Sequence, residues 1–236
     1  FITEDPIRDG NNWYVYCNGN PVLNIDPTGL DSWILYDVNA VSGDGEHVFE
    51  DEARIYEQEL SKKYGTPVHL IYLNNAQEFQ NAWNLQVGYD ENGNSVTIDE
   101  VRIILHGSAS GEKDDGVGYM MFSDGSRIAA NVKAIENWDT DKAVCSLDYK
   151  NIGVLYFSSC NSGNPDIYNT AWAFKNCMTI REYIVAWDGG TIFDYNENRL
   201  KAGGIGSTQA IWEFYVERNI FGWPCRSRMG RRQIWT

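Results

Sequence analysis

Glu100-Val-Arg-Ile-Ile-Leu-His-Gly107 and Asn151-Ile-Gly-Val-Leu-Tyr-Phe-Ser-Ser-Cys160-Asn-Ser-Gly163 decide the fold. Each is a short apolar run, rich enough in β-branched and aromatic residues to read as a buried strand. Each runs into a reactive side chain that is followed by glycine, at once after His106 and three residues after Cys160. In an open parallel sheet, ligands sit beyond the carboxyl ends of the strands. Two neighbouring strands of this kind therefore set His106 and Cys160 on one rim. A thiol beside an imidazole is the minimum apparatus for nucleophilic acyl transfer.

Working outward, strand and helix patterns alternate. Trp33 to Val38 reads as a strand, Glu46 to Tyr64 as a helix stopped by Gly65, Pro67 to Leu73 as a strand, and Ala76 to Leu85 as a helix. Residues 86–98 read as a turn or hairpin before the His106 strand. A glycine-rich loop follows it, then a hairpin of Gly118–Phe122 and Arg127–Ala129, and a short helix from Asn131 to Trp138. After the Cys160 strand come a helix from Pro165 to Cys177, a strand from Arg181 to Trp187, and an amphipathic helix from Thr208 to Asn219. This alternation predicts an α/β protein of three layers, a mostly parallel central sheet with helices on both faces. Residues 1–30 differ in kind. They are polar and turn-rich around Trp13-Tyr-Val-Tyr16, a hairpin or coil too small to fold alone.

The totals exclude several classes. At 236 residues, with 43% hydrophobic residues and nine Trp, the chain has material for one sizeable core. No apolar run approaches the roughly 18 residues of a membrane span, and the first residues are no signal peptide. The chain starts at Phe1 rather than Met, so we expect a piece cut from a longer one. A net charge of −14 argues against nucleic acid as the main ligand, because phosphate contacts need a basic face. Arg226, Arg228, Arg231 and Arg232 read as a solvated tail rather than a docking segment. The five Cys show no metal-ligand spacing and no disulfide pattern, which suits a reduced interior with one special thiol. No metal and no cofactor is expected.

The chemistry centres on the pair. A neighbouring imidazole draws the proton from a thiol and later returns one to the leaving group. His106 is the strand-end His, whereas His69 lies within an apolar strand and His47 opens a helix. The N–H groups of Gly107 and Cys160 are candidates for an oxyanion hole, worth on the order of 3 kcal/mol per donor. Ser158 and Ser159 are small, as a strand end facing a peptide should be. The N-terminus of the helix after Gly163 favours thiolate. Taken singly, a Cys after an apolar strand reads as a small buried hydrophobe and a strand-end His as a turn residue. The two in this order, each with its glycine, favour catalysis. Cys145 and Cys177 read as structural. Asp188, in Ala186-Trp-Asp-Gly-Gly190, is a candidate for selecting a basic P1 residue, although a plain turn is the preferred reading. Trp187 either lines the pocket or packs, and Glu112, Lys113, Asp114 and Asp115 form a solvated lid.

Two family resemblances add to this. Thr3-Glu-Asp-Pro6-Ile, Trp13-Tyr14-Val-Tyr16 with Asn20-Pro21, and Pro21-Val-Leu-Asn-Ile-Asp26-Pro27-Thr-Gly29-Leu30 resemble the last segment of the Rhs repeat-associated core. Rhs proteins are large secreted shells that carry a variable C-terminal toxin and release it by self-cleavage. The resemblance implies that Pro21, Asp26, Pro27, Gly29 and Leu30 form the cleavage motif, that the cut falls just after Leu30, and that 31–236 is the toxin. Separately, strand-His-Gly, hairpin, helix and strand-Ser-Ser-Cys, with 160 − 106 = 54 residues between the pair, resembles the caspase-type cysteine peptidases. That resemblance spans roughly residues 31–220. It implies Cys160 as nucleophile, His106 as acid/base, the amides of Gly107 and Cys160 as oxyanion hole, and residues 158, 159, 187 and 188 along the substrate groove. The caspase signature Gln-Ala-Cys-x-Gly is absent. Ser-Ser-Cys-Asn-Ser-Gly is closer to the bacterial CHAT peptidases, so caspase specificity for Asp does not carry over.

The expectation is a toxin effector secreted by one bacterium and delivered into the cytoplasm of another. There it would cut target-cell proteins as a cysteine endopeptidase. Its partners would be a protein substrate, a cognate immunity protein and the Rhs shell of its own chain, with no nucleic acid and no membrane insertion. Two alternatives stay open: a Cys–His acyltransferase or amidase, and a non-catalytic caspase-like binder.

Overall fold

The computed structural model describes residues 30–37, 47–111, 116–131, 142–194, 196–197, 199–202, 209–218 and 224–232, the backbone alone at 30, 192 and from 199 onward. A seven-stranded sheet organises the molecule. Its strands are β1 (Leu30–Asp37), β2 (Val68–Leu73), β3 (Thr97–Ile104), β7 (Asn151–Ser158), β8 (Thr179–Trp187), β11 (Gln209–Arg218) and β12 (Pro224–Arg232). They lie in the order β12-β11-β8-β7-β3-β1-β2. From β2 to β8 every pairing is parallel, while β11 runs antiparallel to both β8 and β12. Between β3 and β7 the chain builds a separate three-stranded antiparallel sheet of β4 (His106–Ser110), β5 (Val117–Met121) and β6 (Arg127–Ala129). A two-stranded ribbon of β9 (Thr191–Asp194) and β10 (Arg199–Ala202) follows β8. The layered α/β architecture is the expected one.

Strand alternation divides the core between two faces. On β1, Trp33 and Leu35 join Val101, Ile103, Leu155 and Phe157 beneath α2 (Ala76–Leu85) and α3 (Thr170–Cys177). Ile34 and Tyr36 join Ile104, Trp187 and Phe193 beneath Ala53, Tyr56 and Leu60 of α1 (Val48–Tyr64). Burying a side chain the size of Phe79 or Leu60, both fully covered, stabilises by about 2 kcal/mol. The helices end as their sequences dictate. Asn75 caps α2 through the Glu78 N–H, and Asn169 caps α3 through the Trp172 N–H, each at 2.8 Å. Gly65 closes α1 in the left-handed region at φ 70°, with its N–H on Ser61 O.

Ion pairs fasten α1 to β3. Arg102 is buried, donates from Nε to Glu100 Oε1 at 2.6 Å, and forks onto Glu59 at 3.0 and 3.1 Å. Its guanidinium lies 4.2 Å from the Tyr56 ring centre. Glu100 also accepts from Lys63 Nζ and Tyr64 O–H, each at 2.9 Å. The C-terminal half of the helix is thereby held in register over the sheet.

Three expectations are corrected. The segment expected as a helix from Thr208 to Asn219 is strand β11, because Ile211, Trp212, Phe214, Tyr215 and Val216 are β-formers and the edge of β8 offers them a partner. The arginine-rich tail is not a free solvated segment, since β12 pairs with β11 from Pro224 to Arg232. The helix expected from Pro165 starts only at Thr170, where Asn169 caps it, and the residues before it form turns. Most of the cleavage motif (residues 21, 26, 27 and 29), the lid at 112–115 and, from 132 on, the short helix expected over 131–138 lie outside the described residues.

Candidate active site

The parallel pairing of β3 with β7 builds the site. Ile98 pairs with Ile152, Val101 with Leu155 and Ile104 with Ser158, a constant offset of 158 − 104 = 54. His106 and Cys160 stand at the same offset, 160 − 106 = 54, each two residues beyond the last pair. Both strands point the same way, so both residues leave the sheet at its carboxyl rim. The Leu105 N–H, donating to Ser158 O at 3.3 Å, continues the pairing to the brink of the site.

Gly107 sits against the backbone of Cys160. A Cβ at this position would lie 2.9 Å from Cys160 N and collide with Cys160 O. The glycine is therefore required by the closeness of the two chains, before any substrate enters. His106 opens β4 just after β3, so it occupies the hinge between the central sheet and the small one. The imidazole is half-buried, with Nε2 shut from solvent, and packs edge-on against Phe49 of the first turn of α1 at 4.8 Å between ring centres.

Cys160 is a half-buried free thiol. The Thr191 N–H donates to its sulfur at 3.3 Å, and the Thr191 hydroxyl lies 3.5 Å away. Both groups are suited to donate to a sulfur anion. After Cys160 the chain turns sharply. Asn161 adopts the left-handed region at φ 56°, which Asn tolerates, and its N–H donates to Gly189 O. Gly163 lets the segment press on β8, since a Cβ there would meet Ala186 Cβ at 2.8 Å. By contrast, burial and the neighbouring Cys145 push the Cys177 thiol up, which suits the structural role read for that pair.

The other predicted residues divide. Ser158 and Ser159 are buried. The Ser158 hydroxyl donates to Glu52 Oε1 at 2.5 Å, and Ser159 O accepts from the Ser162 hydroxyl. Their smallness thus serves packing at the strand end. Trp187 is 3% exposed and packs on the α1 face. Its backbone N–H donates to Ser162 Oγ and its carbonyl accepts from Gly163. Asp188 is half-buried in the turn that leads to Thr191.

Glu52 was not anticipated. It is 1% exposed, and burial pushes its carboxyl up to about 7 against the opposing pull of the Ser158 and Tyr56 hydroxyls and the Arg102 charge. The signal was present, because Glu52 falls at helical spacing between Phe49 and Tyr56 on the apolar stripe of α1. Thr191 and Phe49 gave no comparable sign, since only the fold brings them to Cys160 and His106. Among the described residues no group of three or more His, Cys, Asp or Glu is placed to hold a metal ion, and no helix is long and apolar enough to cross a membrane. No protein-family model matches this chain, and no curated protein matches its sequence.

Proposed function

We propose that residues 31–236 are a cysteine endopeptidase of caspase-like type, delivered as the toxin of an Rhs chain into a competing bacterium. One observation carries the enzymatic half: an imidazole and a thiol at the same offset, two residues beyond the last pair of adjacent parallel strands, with Gly107 pressed against Cys160. A layered α/β frame with the pair at the carboxyl rim supports the caspase-like reading. The delivery half rests on the Rhs-like segment ending at Leu30.

In this reading His106 takes the Cys160 proton, and the sulfur attacks the scissile carbonyl carbon. The N–H groups of Gly107 and Cys160 receive the oxyanion. The C–N bond breaks as His106 gives its proton to the departing amine, leaving a thioester. Water, deprotonated by His106, then attacks the thioester. The new carboxyl end departs, and the proton returns to sulfur. Phe49 fixes the ring plane of His106, and Thr191 holds the sulfur before attack. A cognate immunity protein would protect the producer.

Expression of residues 31–236 in a susceptible bacterium should arrest growth and create new protein N-termini, mapped by mass spectrometry. Cys160→Ala and His106→Ala should each abolish both effects. Toxicity that survives the double variant would end the enzymatic reading. Toxicity without new N-termini would move the chemistry to transfer or amide hydrolysis.

A further inference from the structure

At the other end of the strands lies a cleft of about 400 Å³, between the turn after α2, the first residues of β3, and the starts of β7 and β8. Its walls include Tyr89, Ile98, Tyr149, Lys150 and Arg181. We propose that this cleft binds the phosphate group of a small molecule, with Lys150 and Arg181 as its ligands. The site is independent of the dyad, which occupies the opposite rim.

Lys150 is only 7% exposed, an unusual state for a lysine. Its ammonium lies 4.6 Å from the Tyr89 ring centre. Among the described residues no carboxylate comes within ion-pairing distance of it, although Glu50, Glu57, Glu59 and Glu100 all pair with other cations. Burial lowers its pKa, with Asp148 pulling the other way. A covered cation held over a ring and short of counter-charge is a built half-site.

Arg181 supplies the second half. Its guanidinium crosses β7, donating to Ile98 O at 2.6 Å and to Asn151 O at 3.2 Å. Gly153 makes that path possible, because a Cβ there would lie 3.1 Å from Arg181 Nη2 and collide with Asp99 O. The strand pairing shifts register at the same point. The partners of Arg181 in these bonds are neutral oxygens. Arg181 also acts on Asp99, whose carboxyl burial pushes up to about 6 against the lowering effect of Arg181.

One compact ammonium and one planar fork in the same cleft suit an oxyanion with several acceptor oxygens. The chain as a whole, at net −14, repels anions. The cavity is larger than inorganic phosphate requires. Tyr149, 63% exposed and anchored through its O–H to Thr179 Oγ1 at 2.7 Å, offers a ring face beside it. The phosphate therefore belongs either to free phosphate or to an ester carrying a planar group.

Calorimetric titration of the full chain with inorganic phosphate, adenosine monophosphate and adenosine tests the assignment. Both phosphates should bind and adenosine should not. Tighter binding of the monophosphate marks an ester site, and equal binding marks a free-phosphate site. Lys150→Met, which keeps the stem and removes the charge, should weaken binding by about tenfold or more. Arg181→Lys, which keeps charge but loses the fork, should weaken it as well, with circular dichroism verifying that each variant is folded. Should Lys150→Met not fold, raising the salt concentration on the wild type must weaken binding instead. Absence of binding by both phosphates up to about 10 mM, or affinity indifferent to the charge at 150 in a folded variant, overturns the proposal.

Discussion

Gly107 shows how little room a single position leaves where the two strand ends meet. The Cβ of an alanine would enter the space already held by the Cys160 backbone. Relief requires the strand ends to part, and such overpacking costs about 1–3 kcal/mol. Gly107→Ala should therefore lose activity and lower the urea midpoint, whereas Gly125→Ala, in an exposed turn open to solvent, should leave activity intact. An active Gly107→Ala enzyme would contradict the packing described. Glu52 adds a titration at this scale. Its carboxyl is raised from 4.5 to about 7, so the ionised form is the one the fold disfavours. Below about pH 4.5 folded and unfolded chains both hold the proton. Between 4.5 and 7 the folded chain keeps a proton the unfolded chain has released, so stability falls as pH rises, by about 3 kcal/mol from this group. Glu52→Gln keeps an acceptor for the Ser158 hydroxyl and never ionises. Its melting temperature should exceed the wild type's at pH 8, with the gap closing toward pH 5, and a gap of constant size would refute the assignment. His106 and Cys160 were legible because their types and glycines sit beside them in the chain. Glu52 was obscured because a carboxylate on an apolar stripe has no partner visible until α1 is laid on β7.

At the scale of elements, periodicity and caps did most of the work. The α2 helix occupies Ala76–Leu85 as expected, between its Asn75 cap and the turn that follows. Residues 209–218 misled, because a run mixing aromatic, β-branched and charged residues fits an amphipathic helix until an unfilled sheet edge is known to wait for it. No local pattern records such an edge. The attachment of α1 to β3 is another fact of tertiary structure, and Arg102 is its centre. Removing that charge strands Glu100, which is 1% exposed and then keeps only Lys63 and Tyr64. Arg102→Met should cost about 3–5 kcal/mol in urea unfolding. Because the first turn of α1 carries Phe49 onto His106, the proposed peptidase activity should fall with it. Lys63→Met, at the more exposed end of the network, should cost less. Equal losses from the two would mean that the network does not centre on the guanidinium.

For the whole molecule, the boundary at Leu30 is where the proposed carrier and the proposed enzyme meet. Leu30 opens β1, paired with Thr97, and Asp31 follows it with a buried carboxylate 3.0 Å from His69 Nε2. Cleavage just after Leu30, as the Rhs-like motif implies, would place the new terminus at the first turn-in of the second strand from the sheet's edge. It would remove one register pair at the end of β1, while Ser32 through Tyr36 keep both neighbours. The new α-amino group would lie beside the Asp31 carboxylate, and so would not stand as an uncompensated charge. A chain beginning at Asp31 should therefore fold alone and unfold within about 1 kcal/mol of the chain beginning at Phe1, because losses at a strand terminus are small. Parallel urea titrations of the two chains measure the difference. A strongly destabilised shorter chain would make residues 1–30 part of the folding unit, and separating the toxin after Leu30 would then cost it the very frame that aligns His106 with Cys160.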